Sequence, residues 1–126
     1  MNLPEELKYT KSHEWVKFID DTTALIGITD FAQESLGSLV FINLPQVGDG
    51  VVAGETFADV ESVKAVSDIF SPVTGDVAEV NTDLEQSPEI INDTPYDAWI
   101  AKIENITDTA DLLDAADYEK AVEEEN

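Results

Sequence analysis

The chain has 126 residues, a length that favours one domain. Its six lysines, its lack of arginine and its 28 acidic residues give a net charge of −22 at pH 7, which argues against binding to nucleic acids or anionic membranes. The absence of cysteine excludes disulfides, thiolate nucleophiles and sulfur-ligated metal sites.

The sequence carries no signal for secretion or for membrane insertion. No apolar run approaches the roughly 20 residues that a membrane-spanning helix needs. The start of the chain, Met1-Asn2-Leu3-Pro4-Glu5-Glu6, has neither the positive region nor the apolar region of a signal peptide. We therefore expect a soluble, cytoplasmic protein that folds as one domain over residues 1–126.

The first third of the chain predicts two strands and a short helix. Residues 13–18 and 24–28 are predicted as two strands with a polar turn between them. A helix follows, with Asp30 as its predicted N-cap and Gln33 at the reciprocal capping position. Gly37 is the predicted end of this helix.

The middle of the chain has a β pattern throughout. Strands are predicted over residues 39–44 and 51–52, and two longer alternating strands over 56–63 and 65–70. A Ser-Pro-Val-Thr-Gly turn over residues 71–75 follows.

Lys64 lies between the two longer strands, ten residues after Gly54 and eleven before Gly75. This near-symmetrical spacing predicts that Lys64 lies at a hairpin tip. Its acidic neighbours Glu61 and Asp68 are compatible with a simple surface ion pair. A rigid, exposed tip is equally suited to covalent attachment of a cofactor, because a modifying enzyme must reach the amine. The residues alone leave both interpretations open.

The last third of the chain predicts loops, a strand and a helix. A polar stretch with two prolines precedes a predicted strand over residues 98–103. A C-terminal helix is expected after Thr109, its predicted N-cap. Its predicted apolar stripe consists of Leu112, Leu113, Ala116, Ala121 and Val122.

The sequence gives little support for catalysis by its own side chains, and no catalytic or metal-ligating residue is assigned. His13 is the only histidine, and no serine occupies a G-x-S-x-G elbow. A lone histidine beside aromatic residues is most often structural. Any group chemistry would therefore come from a carried cofactor.

The run Val60-Glu61-Ser62-Val63-Lys64-Ala65-Val66-Ser67-Asp68-Ile69, with Ser71-Pro72-Val73-Thr74-Gly75 behind it, resembles the lipoyl-lysine hairpin of the glycine cleavage system H protein family. Nearly the whole chain shares the resemblance. The other matching motifs, in order, are Leu7-Lys8-Tyr9, Ser12-His13-Glu14-Trp15, Gly27-Ile28-Thr29-Asp30-Phe31-Ala32-Gln33, Leu36-Gly37, Leu44-Pro45, Gly48, Gly54, and the stretch from Ser87-Pro88 to Pro95-Tyr96.

The resemblance implies a mainly β fold, the lipoyl-type hybrid barrel-sandwich with short marginal helices and a C-terminal helix. It implies lipoate in amide linkage to Lys64 and a monomeric, non-catalytic carrier. The implied partners are glycine decarboxylase (P protein), aminomethyltransferase (T protein), dihydrolipoyl dehydrogenase (L protein) and a lipoate-attaching enzyme. The carrier would take the aminomethyl intermediate from the first enzyme to the second, and the dihydrolipoyl arm to the third.

Three further positions match those with which the family holds its loaded arm in a surface cleft: Ser12, Glu14 and Asp68. A carboxylate beside a protonated amine stabilises the cation. An arm held in a cleft is also less open to hydrolysis. The resemblance therefore implies that these residues contact the intermediate.

Four alternatives are weighed against this expectation. A lipoyl domain of a 2-oxoacid dehydrogenase is disfavoured, because such a domain is normally joined to further domains by linkers. A biotin carrier is disfavoured, because such domains usually place methionine on both sides of the lysine and here the neighbours are Val63 and Ala65. A relay that passes lipoyl or octanoyl groups to other proteins is compatible with the sequence. An acidic binding module with unmodified Lys64 is the alternative from a different functional class.

Overall fold

The computed structural model describes residues 3–125, which form nine strands and four helices. The strands are β1 (Lys8–Tyr9), β2 (Glu14–Asp20), β3 (Thr23–Ile28), β4 (Leu39–Asn43), β5 (Gly50–Val51), β6 (Thr56–Ser62), β7 (Val66–Phe70), β8 (Val73–Val80) and β9 (Ala101–Thr109). The helices are α1 (Asp30–Leu36), α2 (Asp83–Gln86), α3 (Ile90–Asp93) and α4 (Ala115–Glu125). None of these helices is long and apolar enough to cross a membrane.

The strands form two antiparallel sheets that share one apolar core. The larger sheet has the order β1-β2-β3-β9-β8-β5, and the smaller has the order β4-β6-β7. Buried residues of both sheets meet in the core, among them Ile26, Val77 and Ile103 from the larger and Ile42, Val60 and Ile69 from the smaller. This arrangement confirms the predicted mainly β architecture with short helices at its margins and a helix at its C-terminus.

A second apolar cluster fixes α4 against the edge of the larger sheet. Tyr118 and Val122 of α4 are buried with Leu7, Tyr9 and Trp15. The rings of Tyr9 and Tyr118 are stacked, with centroids 4.9 Å apart. Aromatic pairs in this geometry add to the free energy gained by burial alone. The C-terminal helix is therefore anchored beside the β1–β2 connection.

The N-terminus of α1 differs from the prediction. Thr29, rather than Asp30, is the N-cap, and its hydroxyl accepts a hydrogen bond from the backbone N–H of Ala32 at 3.2 Å. The amide of Gln33 donates to the Asp30 carboxylate at 2.8 Å, so this pair forms within the first turn. Gly37 ends the helix as predicted, with a left-handed φ of 82°.

The C-terminal elements also begin later than the sequence pattern indicates. The last strand is β9, and Thr109 is its final residue, paired with Val73, so the predicted helix cap is wrong. Instead, the Asp114 carboxylate accepts a hydrogen bond from the backbone N–H of Asp117 at 2.8 Å, as an N-cap side chain does. Pairing with β8 keeps the chain extended through Thr109, and Leu113 is bridged to Tyr9, so Leu112 and Leu113 of the predicted apolar stripe lie before α4 rather than in it.

Candidate functional site

Lys64 lies at the tip of the β6–β7 hairpin, as predicted. The last strand pair is Glu61 opposite Val66. Beyond it, the N–H of Ser62 donates to the carbonyl of Ala65 at 2.8 Å. The Ser62 hydroxyl accepts from the backbone N–H groups of Lys64 at 3.2 Å and of Ala65 at 3.0 Å. Ser62 thus closes a tight turn that fixes the backbone beneath the exposed lysine.

The tip is also fastened to the connection between α1 and β4. The backbone N–H of Val63 donates to the carbonyl of Ser38 at 3.1 Å. Gly37 lies under the lysine side chain, because a Cβ atom built there would be 3.5 Å from Lys64 Cε. The ion pairs among residues 3–125 join His13 to Glu125 and Lys102 to Glu79, not Lys64 to an acid. The surface ion pair considered from sequence is therefore not formed.

The surface around the tip is apolar and exposed, with acidic residues behind it. Val63 and Val66 are 71% and 69% exposed, and Phe41 on β4 is 49% exposed. Asp59 and Asp68 face each other on neighbouring strands. Lys64 is itself exposed, so a protein that approaches the end of the smaller sheet can reach its amine.

Glu14 is a buried carboxylate in which both oxygens are hydrogen-bonded. It is only 1% exposed. Its Oε1 accepts from the hydroxyls of Thr10 at 2.7 Å and Ser12 at 2.5 Å, and its Oε2 accepts from the backbone N–H of Phe70 at 3.3 Å. Burial raises the pKa of Glu14, and these hydrogen bonds oppose the rise. Glu14 joins the start of β2 to the end of β7.

The structure brings two of the three expected contact residues together. Ser12 and Glu14 share a hydrogen bond, whereas Asp68 has an exposed side chain on β7 and no hydrogen bond to either of them among the described residues. Asp68 is four residues from Lys64, and Phe70 is six. At about 3.3 Å per residue, those separations are about 13 and 20 Å along the strand. A long attached group is needed to connect the lysine with this region.

Sequence reasoning missed two partners of Glu14. Thr10 is one, and the spacing Thr10-x-Ser12-x-Glu14 just before a strand is the signal that could have identified it. The backbone N–H of Phe70 is the other. A backbone donor 56 residues away leaves no signal in the sequence.

Two surface cavities lie elsewhere in the molecule. One, of about 270 Å³, is lined by Pro45, Asp49, Gly50, Val51, Val52, Glu55, Thr56 and Phe57, at the opposite end of β6 from Lys64. The other, of about 240 Å³, is lined by Glu5, Asp114, Ala115 and Ala116. Neither cavity borders Lys64 or Glu14.

Comparison with known proteins gives a consistent result along the chain. Residues 7–125 match the family model described as glycine cleavage H-protein. A relative from Lachnoclostridium phytofermentans, named glycine cleavage system H protein, is 60% identical over 125 residues, which cover 99% of this chain and 98% of that protein. A Listeria monocytogenes protein of the same name is 52% identical over 126 residues, covering 98% of this chain and 100% of that protein.

A solved structure shows the same fold. The crystal structure of a glycine cleavage system H protein from Mycobacterium marinum superimposes with a TM-score of 0.91 and 38% sequence identity. The match covers 96% of this chain and 99% of that chain. The two-sheet architecture is therefore that of the lipoyl-type barrel-sandwich expected from the sequence.

Proposed function

We propose that Lys64 is the residue to which the lipoyl group of this protein is attached. The chain belongs to the glycine cleavage H-protein family, whose members are lipoate-bearing, non-catalytic carriers of glycine breakdown. The observation that supports this assignment is the exposed position of Lys64 on a tight, hydrogen-bonded turn. A lipoate-attaching enzyme must bring the amine into its own active site, and a buried or ion-paired lysine would resist that approach.

The residues around Lys64 are suited to a covalently attached arm. The side chain lies over Gly37, where an added Cβ atom would lie at an ordinary van der Waals distance of 3.5 Å from Lys64 Cε, so the stem of the lysine rests against the backbone there. The backbone beneath the lysine is held by Ser62 and by the Ser38 carbonyl, so an arm would move while its base stays fixed. When bound, lipoate supplies the disulfide that accepts the aminomethyl group from glycine.

We further propose that Ser12, Glu14 and Asp68 contact the loaded arm. The carboxylate of Glu14 is held in place before any arm arrives, so it can meet a protonated amine without first being ordered. Asp68 adds a second negative charge on the strand between Lys64 and Phe70. Two carboxylates along the path of the arm favour a cationic cargo over a neutral one.

The chain works within the glycine cleavage system with its partner enzymes. We propose the order of partners expected for the family: glycine decarboxylase loads the arm, aminomethyltransferase unloads it, and dihydrolipoyl dehydrogenase reoxidises it. Because the protein is strongly acidic, we expect basic surfaces on the docking partners and weaker association at high salt.

The first test is the intact mass of the chain, with peptide mapping, after expression in lipoate-supplied cells that contain the attaching enzyme. We expect a gain of roughly 188 Da located on Lys64. The matched control is Lys64→Arg, which keeps the positive charge but offers a guanidinium that cannot form the lipoyl amide.

Each outcome of this test separates one function from another. A gain of about 226 Da would indicate biotin instead of lipoate. An unmodified Lys64 in the presence of an active attaching enzyme would overturn the assignment and favour the acidic binding module. If the Lys64→Arg variant were lipoylated on another lysine, the attachment site would lie elsewhere in the chain.

A further inference from the structure

His13 connects the loop that carries Ser12 and Glu14 with two helices. Its Nε2 lies 3.0 Å from a carboxylate oxygen of Glu125, at the end of α4. Its Nδ1 lies 2.7 Å from the hydroxyl of Tyr118, about two turns earlier on α4. Its ring also packs against Phe31 of α1, with centroids 4.8 Å apart. Both ring nitrogens are therefore engaged, and the orientation of the ring is fixed.

The hydrogen bonds continue from His13 to the N-cap of α1. The Tyr118 hydroxyl is 2.7 Å from Thr29 Oγ1, which accepts from the backbone N–H of Ala32. One arrangement of the hydrogens gives each of these side chains a partner. In it the Thr29 hydroxyl donates to Tyr118, the Tyr118 hydroxyl donates to Nδ1 of His13, and Nε2–H of His13 donates to Glu125. Tyr118 and Thr29 are fully buried, so a broken link would leave a polar group without a partner.

The backbone of His13 has an unfavourable conformation that its surroundings must stabilise. Its φ is 77°, in the left-handed region that residues other than glycine seldom adopt. The turn is closed by its N–H, which donates to the Thr10 carbonyl at 3.1 Å. In this turn Ser12 and Thr10 both reach Glu14 Oε1. The same turn therefore holds the His13 ring against α1 and α4 on one side and the hydroxyls of Thr10 and Ser12 against the Glu14 carboxylate on the other.

We infer that His13 is a positioning residue, which holds the loop of Thr10 and Ser12 against the Glu14 carboxylate through its bonds to Tyr118 and Glu125. The C-terminal helix is then part of the site, although it contacts neither Lys64 nor the Glu14 carboxylate by a hydrogen bond. The consequence for the loaded arm rests on the proposed function. The effect on Glu14 itself does not, and it is measurable without lipoate.

The test compares two tyrosine variants that lose the same atom. Tyr118→Phe removes the hydroxyl bonded to His13, whereas Tyr9→Phe removes the hydroxyl that donates to the Pro4 carbonyl at 2.6 Å. Both rings are fully buried and stacked on each other, so the two variants lose similar packing. His13→Gly is the third variant, because glycine adopts the left-handed backbone freely and only the ring is lost.

The readout is the titration midpoint of the Glu14 carboxyl carbon, followed by NMR on the unlipoylated chain. In Tyr118→Phe and His13→Gly, a loosened loop admits water to the carboxylate and weakens its bonds to Ser12 and Thr10. Burial is the larger of these two opposing effects on the pKa of Glu14, so we expect the midpoint to fall by about 0.5 pH unit or more. Tyr9→Phe should keep the midpoint of the unsubstituted protein. Equal midpoints in all four proteins, or equal shifts in the two tyrosine variants, would overturn the inference.

A second readout concerns the arm. On lipoylated protein carrying the aminomethyl group, Tyr118→Phe should shorten the half-life of the cargo by about threefold or more, measured by mass spectrometry, and Tyr9→Phe should not. Absence of lipoate on Lys64 would count against the proposed function while the NMR comparison still decides the role of His13. If His13→Gly does not fold, Tyr118→Phe carries the test alone.

Discussion

Lys64 and Glu14 are the two ends of the candidate site, and their surroundings are opposite. Lys64 is exposed, and its position is set by backbone hydrogen bonds at the end of a hairpin. Glu14 is 1% exposed, and hydrogen bonds to its side chain come from Thr10, Ser12 and Phe70. Under the proposed function, the residue that other enzymes must reach is held through its backbone. The residue proposed to meet a charged cargo is held through its side chain.

The largest expected effect comes from moving the lysine by one position. The double variant Val63→Lys with Lys64→Val keeps the composition and the charge of the tip. The backbone of Val63 is bonded to the Ser38 carbonyl, so an amine at position 63 leaves the turn in a different direction. We expect lipoylation to be lost, as measured by intact mass.

The folded state of this double variant should be unchanged, because both side chains are exposed. Circular dichroism and the midpoint of urea unfolding provide that control. Full modification at position 63 would show that the exact position of the lysine at the tip is unimportant. The backbone hydrogen bonds of the turn would then not be what selects the modified residue.

The next largest effect is expected on the buried side. A Cβ atom at Gly27 would overlap the indole ring of Trp15, and this ring is held by its N–H bond to the Pro95 carbonyl at 3.0 Å. Gly27→Ala should therefore lower the free energy of unfolding by about 2 to 3 kcal/mol, measured in urea. Gly50→Ala is the control, since no atom lies within 4 Å of a Cβ built there. If Gly27→Ala lowered the free energy of unfolding by no more than Gly50→Ala does, the packing argument would be wrong.

A smaller effect, dependent on pH, is expected for Glu14→Gln. Burial holds the pKa of Glu14 above its unfolded value. The stability that this group contributes is fully present below the unfolded pKa of about 4.3, and it is lost as the pH rises through the folded pKa. Glutamine does not titrate, so the variant should gain stability relative to the unsubstituted protein as the pH rises from about 4 to 7.

Urea unfolding at a series of pH values measures this difference. Glu61→Gln makes the same chemical change at an exposed position on the hairpin, and its relative stability should vary little over that range. If the Glu14→Gln difference were flat with pH, the carboxylate would not be as strongly desolvated as its burial implies.

The smallest effect is expected at the hairpin surface. Val66 is 69% exposed, so Val66→Ala should change the free energy of unfolding by no more than about 0.5 kcal/mol. Ile69, on the same strand, is 2% exposed, and Ile69→Ala should cost about 2 to 5 kcal/mol. Similar losses at both positions would mean that the tip is not separable from the core beneath it.

The hairpin was predictable because its signals are local. Alternating residues on both sides of Lys64 and the flanking glycines give the two strands and the tip, and the structure agrees. The ends of other elements were not. Asp30 and Thr109 both have capping side chains, yet Thr29 caps α1 and β9 runs through Thr109. Propensity identifies residues able to cap a helix, but strand pairing and packing decide which of them does.

The sequence by itself determined that an accessible lysine lies at a hairpin tip in an acidic, cysteine-free chain, because turn chemistry and alternation depend on neighbouring residues. Only the tertiary structure decided that Glu14 is buried, that the N–H of Phe70 completes its hydrogen bonds, and that His13 reaches Tyr118, 105 residues away. Those contacts depend on how the two sheets and α4 pack. Packing of this kind is a property of the whole fold rather than of any one segment.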